Sequence, residues 1–153
     1  MDAERLRAYL LSLPNVVETM QWGANLVFWV GDKAIGGKMF ALLNLDEPPH
    51  PESADGRKPH LLLSYAAGPG RFSELLEHEG LIAAPYFARI HWVAAERWDV
   101  FTTPEWQREL RAAYDLTLGK LPRKVVATFA QPATEQRRLI AARRKLLAAK
   151  AKP

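Results

Sequence analysis

The chain contains no cysteine, which removes disulfides, thiolate nucleophiles and Cys-ligated zinc and suits a reducing, cytoplasmic setting. Long apolar runs are missing too. No stretch of eighteen apolar residues is present to cross a bilayer, so membrane insertion is not expected. The opening MDAERLRAYL interleaves acids with arginines and lacks the apolar segment of a secretory leader. Histidine is scarce, and His50, His60, His78 and His91 show no H-x-x-x-H or H-x-x-E-H spacing. Neither a metal nor a cofactor is therefore expected. Glu74 and His78 share a helix face at i, i+4, a spacing that a solvated surface pair also satisfies. Ser12, Ser53, Ser64 and Ser73 fall in neither a G-x-S-x-G elbow nor an S-x-x-K motif, so serine catalysis has no support.

Acidic residues are nearly absent from one end. Residues 1–119 hold 11 Lys and Arg against 16 Asp and Glu, whereas residues 120–153 hold 10 against 1. The net charge of +4 is therefore a property of the C-terminal segment. A basic block of this kind either meets nucleic acid or an anionic surface, or is a solvated end. The length of 153 residues and 48% hydrophobic content fit one globular domain with a single core.

The stretch VGDKAIGGKMFALLNL (30–45) concentrates glycine and lysine as a phosphate loop does. Counted from Gly31, however, the position that requires Lys is Gly37, and Lys38 is followed by Met39, which cannot ligate Mg²⁺. The flanks NLVFWV (25–30) and KMFALLNL (38–45) are apolar and β-prone, so the spacing predicts a hairpin closed by a tight turn at Gly31-Asp32. Gly36 and Gly37 then mark a bulge or a close backbone approach in the second strand.

Leu6, Leu10 and Leu13 recur at helical spacing before Pro14, and NVVETMQWGA (15–24) reads as a loop. Prolines, acids and Asp55-Gly56 mark an exposed loop over 46–59. LLLSYA (61–66) is a strand and GPGRFSELLEHEG (68–80) a short helix. FARIHWVAAERW (87–98) alternates as a strand with a polar stripe containing Arg89 and His91. Thr103-Pro104 starts a helix through Trp106, Leu110 and Ala113 that ends at Gly119. After LPRKVVATFAQP comes a basic C-terminal helix, with Leu139, Ile140, Leu146 and Leu147 on one arc and Arg137, Arg138, Arg144 and Lys145 on another. The fold class expected is α+β and two-layer: an antiparallel sheet of four to five strands with helices on one face, plus that basic helix.

Trp22, Trp29, Trp92, Trp98 and Trp106 serve either as core or as stacking surfaces, and helical period puts Trp106 in the core. Trp29 and Val27 face opposite to Leu26, Phe28 and Val30, so both sheet faces need cover or one is exposed. His91 beside Trp92 can meet a phosphate or a base, or serve as a packing histidine.

The ordered series LSLPNVVE, GGKMFALLNLD, APYFARIHWVAAERWD and AAYDLTLGKLPRK resembles the MmcQ/YjbR-like family over about residues 5–125. The positions that carry it are Gly36, Gly37, Lys38, Met39 and Phe40, then Pro85, Tyr86, Arg89, Trp92 and Val93, then Tyr114, Leu121, Pro122, Arg123 and Lys124. The resemblance implies a compact domain over 1–125 with a frataxin-like or secretion-chaperone-like layout, followed by a basic extension over 126–153. It further implies a non-enzymatic, predicted DNA-binding protein with a "double-wing" motif. The nucleic-acid contacts expected are Lys38, Arg89, His91, Trp92, Lys120, Arg123 and Lys124, helped by Arg137, Arg138, Arg143, Arg144 and Lys145. DNA and a second copy of the chain are the partners left open. The alternative is a protein-interaction or small-ligand module using the outer sheet face around Trp29, or a pocket near Arg89 and His91.

Overall fold

The computed structural model describes residues 1–47 and 60–151; the loop expected over 46–59 lies, past Glu47, outside the described residues. Helix α1 (Ala3–Ser12) is started by Asp2, whose carboxylate accepts from the Arg5 backbone N–H, and it buries Leu6 and Leu10. The segment read from sequence as a loop is in fact strand β1 (Val16–Gln21). It pairs antiparallel with β2 (Asn25–Val30) through a turn in which Trp22 and Gly23 both have positive φ, 49° and 82°. The register pairs Gln21 with Asn25, so the connection is a tight three-residue turn. Tryptophan in the first of those places hid the turn.

The connection from β2 to β3 (Lys38–Asn44) is longer than the two-residue turn expected at Gly31-Asp32. Asp32 caps a 3-10 turn, Lys33–Ile35, by accepting from the Ala34 N–H at 2.8 Å, and Gly36 ends it at φ 99°. Gly37 makes the close approach: a Cβ there would stand 1.9 Å from the Gly31 carbonyl oxygen. The bulge lies elsewhere. Phe28 and Trp29 face Ala41 and Met39, which leaves Phe40 as the extra residue, its ring edge-on to Tyr114 at 5.8 Å. Gly37→Ala is expected to destabilise the protein by about 2 kcal/mol through this backbone clash, read as a lower urea midpoint at unchanged m-value.

Strand β4 (Leu63–Ala66), helix α2 (Phe72–Leu76), β5 (Leu81–Ala83) and β6 (Trp92–Ala95) follow. Among the described residues, six strands run in the order β1-β2-β3-β4-β6-β5, every neighbouring pair antiparallel. The sheet thus has one or two strands more than expected. The long strand expected over 87–98 shrinks to β6, because Ala88–Ile90 forms a 3-10 turn closed by His91 at φ 61°. The His91 carbonyl accepts from the N–H groups of Ala67 and Gly68, which holds that left-handed residue in place. Arg89 and His91 therefore form no stripe on the sheet.

Helix α3 (Thr103–Gly119) begins one residue earlier than Thr103-Pro104 suggests, with Thr102 and Glu105 forming a reciprocal capping box. Trp106, Leu110, Ala113 and Tyr114 from α3 join Leu6 and Leu10 from α1 over Phe28, Val30, Phe40, Leu43 and Tyr65 of the sheet. Buried Glu109 locks this layer, accepting from the Tyr65 hydroxyl at 3.0 Å and from Arg71 at 2.6 Å. Burial, then the Glu109 charge, push the Tyr65 phenol far above its ordinary pKa, so it stays a donor.

Two further helices complete the chain: α4 (Arg123–Phe129), which has no counterpart in the sequence reading, and α5 (Ala133–Ala151). Val125 of α4 is 2% exposed and part of the core, so a division at residue 125 cuts through that helix. α5 buries no residue and rests on the Lys33–Ile35 turn, where Arg144 pairs with Asp32 at 2.6 Å. Among the described residues, no helix is long and apolar enough to cross a membrane, and no cluster of three His, Asp or Glu is placed to hold a metal.

Candidate functional site

Strand alternation sends the partners of Phe28 and Tyr65 toward the helices, and their neighbours Asn25, Leu42, Asn44 and Ser64 toward the opposite face. Across that second face lies the segment from Pro85 to His91. Phe87 seats it, with its ring 5.2 Å from Trp92 and 6.4 Å from Trp22. Between segment and sheet is a cleft of about 570 Å³, with Asn25, Leu42, Asn44 and Ser64 lining it alongside Trp22 and Tyr86. Trp22 is 60% and Tyr86 98% exposed. Both have left-handed backbones, at φ 49° and 67°, a conformation that bulky residues hold only where surrounding contacts enforce it.

The polar groups of this cleft are amides whose orientation is set. Asn25 Nδ2 donates to the Trp22 carbonyl at 2.7 Å. Asn44 Nδ2 donates to the Leu61 carbonyl at 3.0 Å, and its Oδ1 accepts from the Asp46 N–H at 2.9 Å. A second cleft, of about 460 Å³, has Trp22, Trp29, Lys38, Ile90, Trp92 and Lys120 among its lining residues. Trp22 thus lines both. Lys38 Nζ donates to the Lys120 carbonyl at 3.4 Å, which ties the start of β3 to the end of α3. Neither cleft carries a carboxylate or an imidazole among its described lining residues. The surface offers rings, amides and cations.

The residues singled out from sequence divide accordingly. Lys38, Trp92 and Lys120 come together in the second cleft, although Trp92 is 3% exposed and forms a wall rather than a stacking face. Arg89 lies in the turn beside Ile90, away from any sheet stripe. His91 is half-buried, its ring edge-on to Phe72 at 5.4 Å. Arg123 and Lys124 open α4, and Lys124 shares the groove between α4 and α5 with Arg143. Arg138 is held by Glu135 at 2.5 Å, and this hydrogen bond keeps the Glu135 carboxyl below its ordinary pKa. Arg144 is held by Asp32. Arg137 and Lys145 are exposed.

Trp29 is not an open face of the sheet. It is 8% exposed, its indole N–H donates to Thr19 Oγ1 at 2.8 Å, and the Lys33 ammonium lies 5.6 Å from its ring centroid. The exposed aromatics are Trp22, which no motif marks, and Tyr86, one of the positions that carry the family resemblance. Trp22-Gly23 is not one of the dipeptides that announce a turn, so no local signal in the sequence marks the position of the Trp22 ring.

Comparison with known proteins agrees with this architecture. The crystal structure of Deinococcus radiodurans protein DR2400, a DUF419 domain, superimposes with a TM-score of 0.67 at 23% identity, covering 84% of this chain and 88% of that one. That likeness shows the fold. No curated protein matches the chain. The YjbR family model matches residues 11–116, from the end of α1 to the last turns of α3, and the chain belongs to the YjbR family.

Proposed function

We propose that this protein binds nucleic acid through the phosphates, with little sequence readout and without catalysing a reaction. The observation that carries this reading is the uncompensated charge at the C-terminal end. Glu135 is the one acid of residues 120–153, and Arg138 already holds it. Among the described residues, Lys120, Arg123, Lys124, Arg137, Arg143 and Lys145 have no carboxylate at ion-pair distance, in contrast to Arg138 and Arg144. At about 1.5 Å per residue, the 19 residues of α5 extend about 28 Å, a length over which duplex DNA carries on the order of 16 negative charges. The "double-wing" and frataxin-like descriptions belong to this proposal, supported by an antiparallel sheet with helices packed on one side. A cytoplasmic setting belongs to it as well and rests on the absence of cysteine. The apolar cleft beside Trp22 and Tyr86 is the observation that favours a small-ligand reading instead.

Fluorescence anisotropy of labelled DNA against the full chain, across a salt series from about 50 to 300 mM, tests the proposal. The logarithm of affinity is expected to fall with the logarithm of salt at a slope of about −3 to −5. The triple change Arg137→Gln, Arg143→Gln, Lys145→Gln is expected to weaken duplex binding at least about tenfold and make the slope shallower by about 3. Absence of binding at low salt, or a slope indifferent to the triple change, would overturn the reading.

A further inference from the structure

We propose, resting on the nucleic-acid reading above, that the favoured strand is single: an unpaired base sits in the cleft between Trp22 and Tyr86, and the adjoining phosphates lie on Lys38 and Lys120. Two aromatic side chains, 60% and 98% exposed, line one cleft of about 570 Å³. A packing role would bury such rings; a stacking role requires them open. Both sit on left-handed backbones, so the fold holds them out at positions where glycine or asparagine is the unstrained choice.

Inside the cleft, Asn25 and Asn44 present amides already oriented by bonds to the Trp22 and Leu61 carbonyls. Amide groups both donate and accept, which suits the edge of an unpaired base and imposes little preference among bases. Charge complementarity selects the rest of the occupant. The neighbouring cleft shares Trp22 and holds Lys38 and Lys120, with the Lys38 ammonium donating to the Lys120 backbone carbonyl. One indole therefore separates a neutral, ring-lined cavity from a cationic one, the alternation of a base and its phosphate. A duplex offers no unpaired base to the cavity, whereas a single strand offers one at every step.

The experiment is anisotropy on the full chain with a labelled thymidine oligonucleotide of about 15 residues and a duplex of equal length, in parallel. Wild type is expected to favour the single strand by about tenfold or more. Trp22→Ala and Tyr86→Ala are each expected to weaken single-strand binding by roughly 5- to 100-fold, with duplex affinity and salt slope unchanged. Tyr86→Phe keeps the ring and should retain wild-type affinity. The high exposure of both side chains predicts unchanged urea midpoints, so a loss of binding is not a loss of fold. Equal losses on both DNAs, no loss from either ring, or displacement of the oligonucleotide by thymidine monophosphate at comparable concentration would overturn this inference. Duplex binding with a steep salt slope but indifferent rings sinks the base site alone, whereas no binding to any DNA sinks the phosphate reading with it.

Discussion

Trp106→Ala is expected to lower the unfolding free energy by about 4 kcal/mol, at the upper end of what large-to-small core changes cost. Trp106 is fully buried. Its ring is met by Phe101 at 5.1 Å, Trp98 at 5.8 Å and Tyr65 at 6.3 Å, all near edge-on. Alanine would remove the apolar contact area together with these aromatic contacts. It would also remove the indole N–H that donates to the Trp98 carbonyl at 2.8 Å. Trp98 and Phe101 from the turn before α3 and Tyr65 from β4 are each fixed by their own elements and do not collapse into the gap, so the cavity term stays large. Urea unfolding should show the loss as a shifted midpoint at constant m-value, and the thermal midpoint should fall by roughly 10 °C for a chain of this size.

Glu109→Ala is expected to cost about 3 kcal/mol, because removing one partner from a buried charged pair leaves the others without their bonds. Glu109 is 9% exposed, and its two oxygens take the Tyr65 hydroxyl and the Arg71 guanidinium. The side chain of Arg71 is 42% exposed, so water re-solvates it and holds the cost at the lower end of the range for buried pairs. Tyr65 has no such relief at 1% exposure. Glu109→Gln retains one acceptor and is expected to cost about 1 kcal/mol. Trp106 and Glu109 stand one turn apart on α3 and both contact Tyr65, so the double mutant should lose less than the two single losses combined, by about 0.5 kcal/mol or more. A double-mutant cycle in urea measures that difference. Strict additivity would mean that Tyr65 does not link the two.

These two residues also bear on the candidate site. Tyr65 lies between Ser64 and Ala66 on β4, and those neighbours face the clefts. The layer under α3 is thus the rigid floor on which the rings of Trp22 and Tyr86 are held out.

Elements with a strong local signature were legible from the chain alone. α1 and α3 have helical period, a capping residue and a stop, all within a few positions, and both stand where they were expected. The α+β class followed from strand-like runs between helices, and the charge asymmetry of residues 120–153 is a property of composition. β1 was lost because its residues are only partly buried, which blurs the alternation of a half-buried strand. β5 has three residues and α4 seven, too few for a period to emerge. Arg89 and His91 were read onto a strand because the alternation of their side chains is real, whereas the left-handed backbone at His91 that ends the strand is enforced by Ala67 and Gly68 from another segment.

What the sequence by itself determined, then, is the class, the two principal helices, the family resemblance and the location of the positive charge. Only the tertiary structure decided the sheet order, the burial of Trp29, and the cleft where Trp22, Asn25, Asn44, Ser64 and Tyr86 meet. The physical reason is range: period, capping and net charge act between residues a few positions apart. A cleft is made by the register of distant strands and by a chain segment laid across them, contacts that no local pattern encodes.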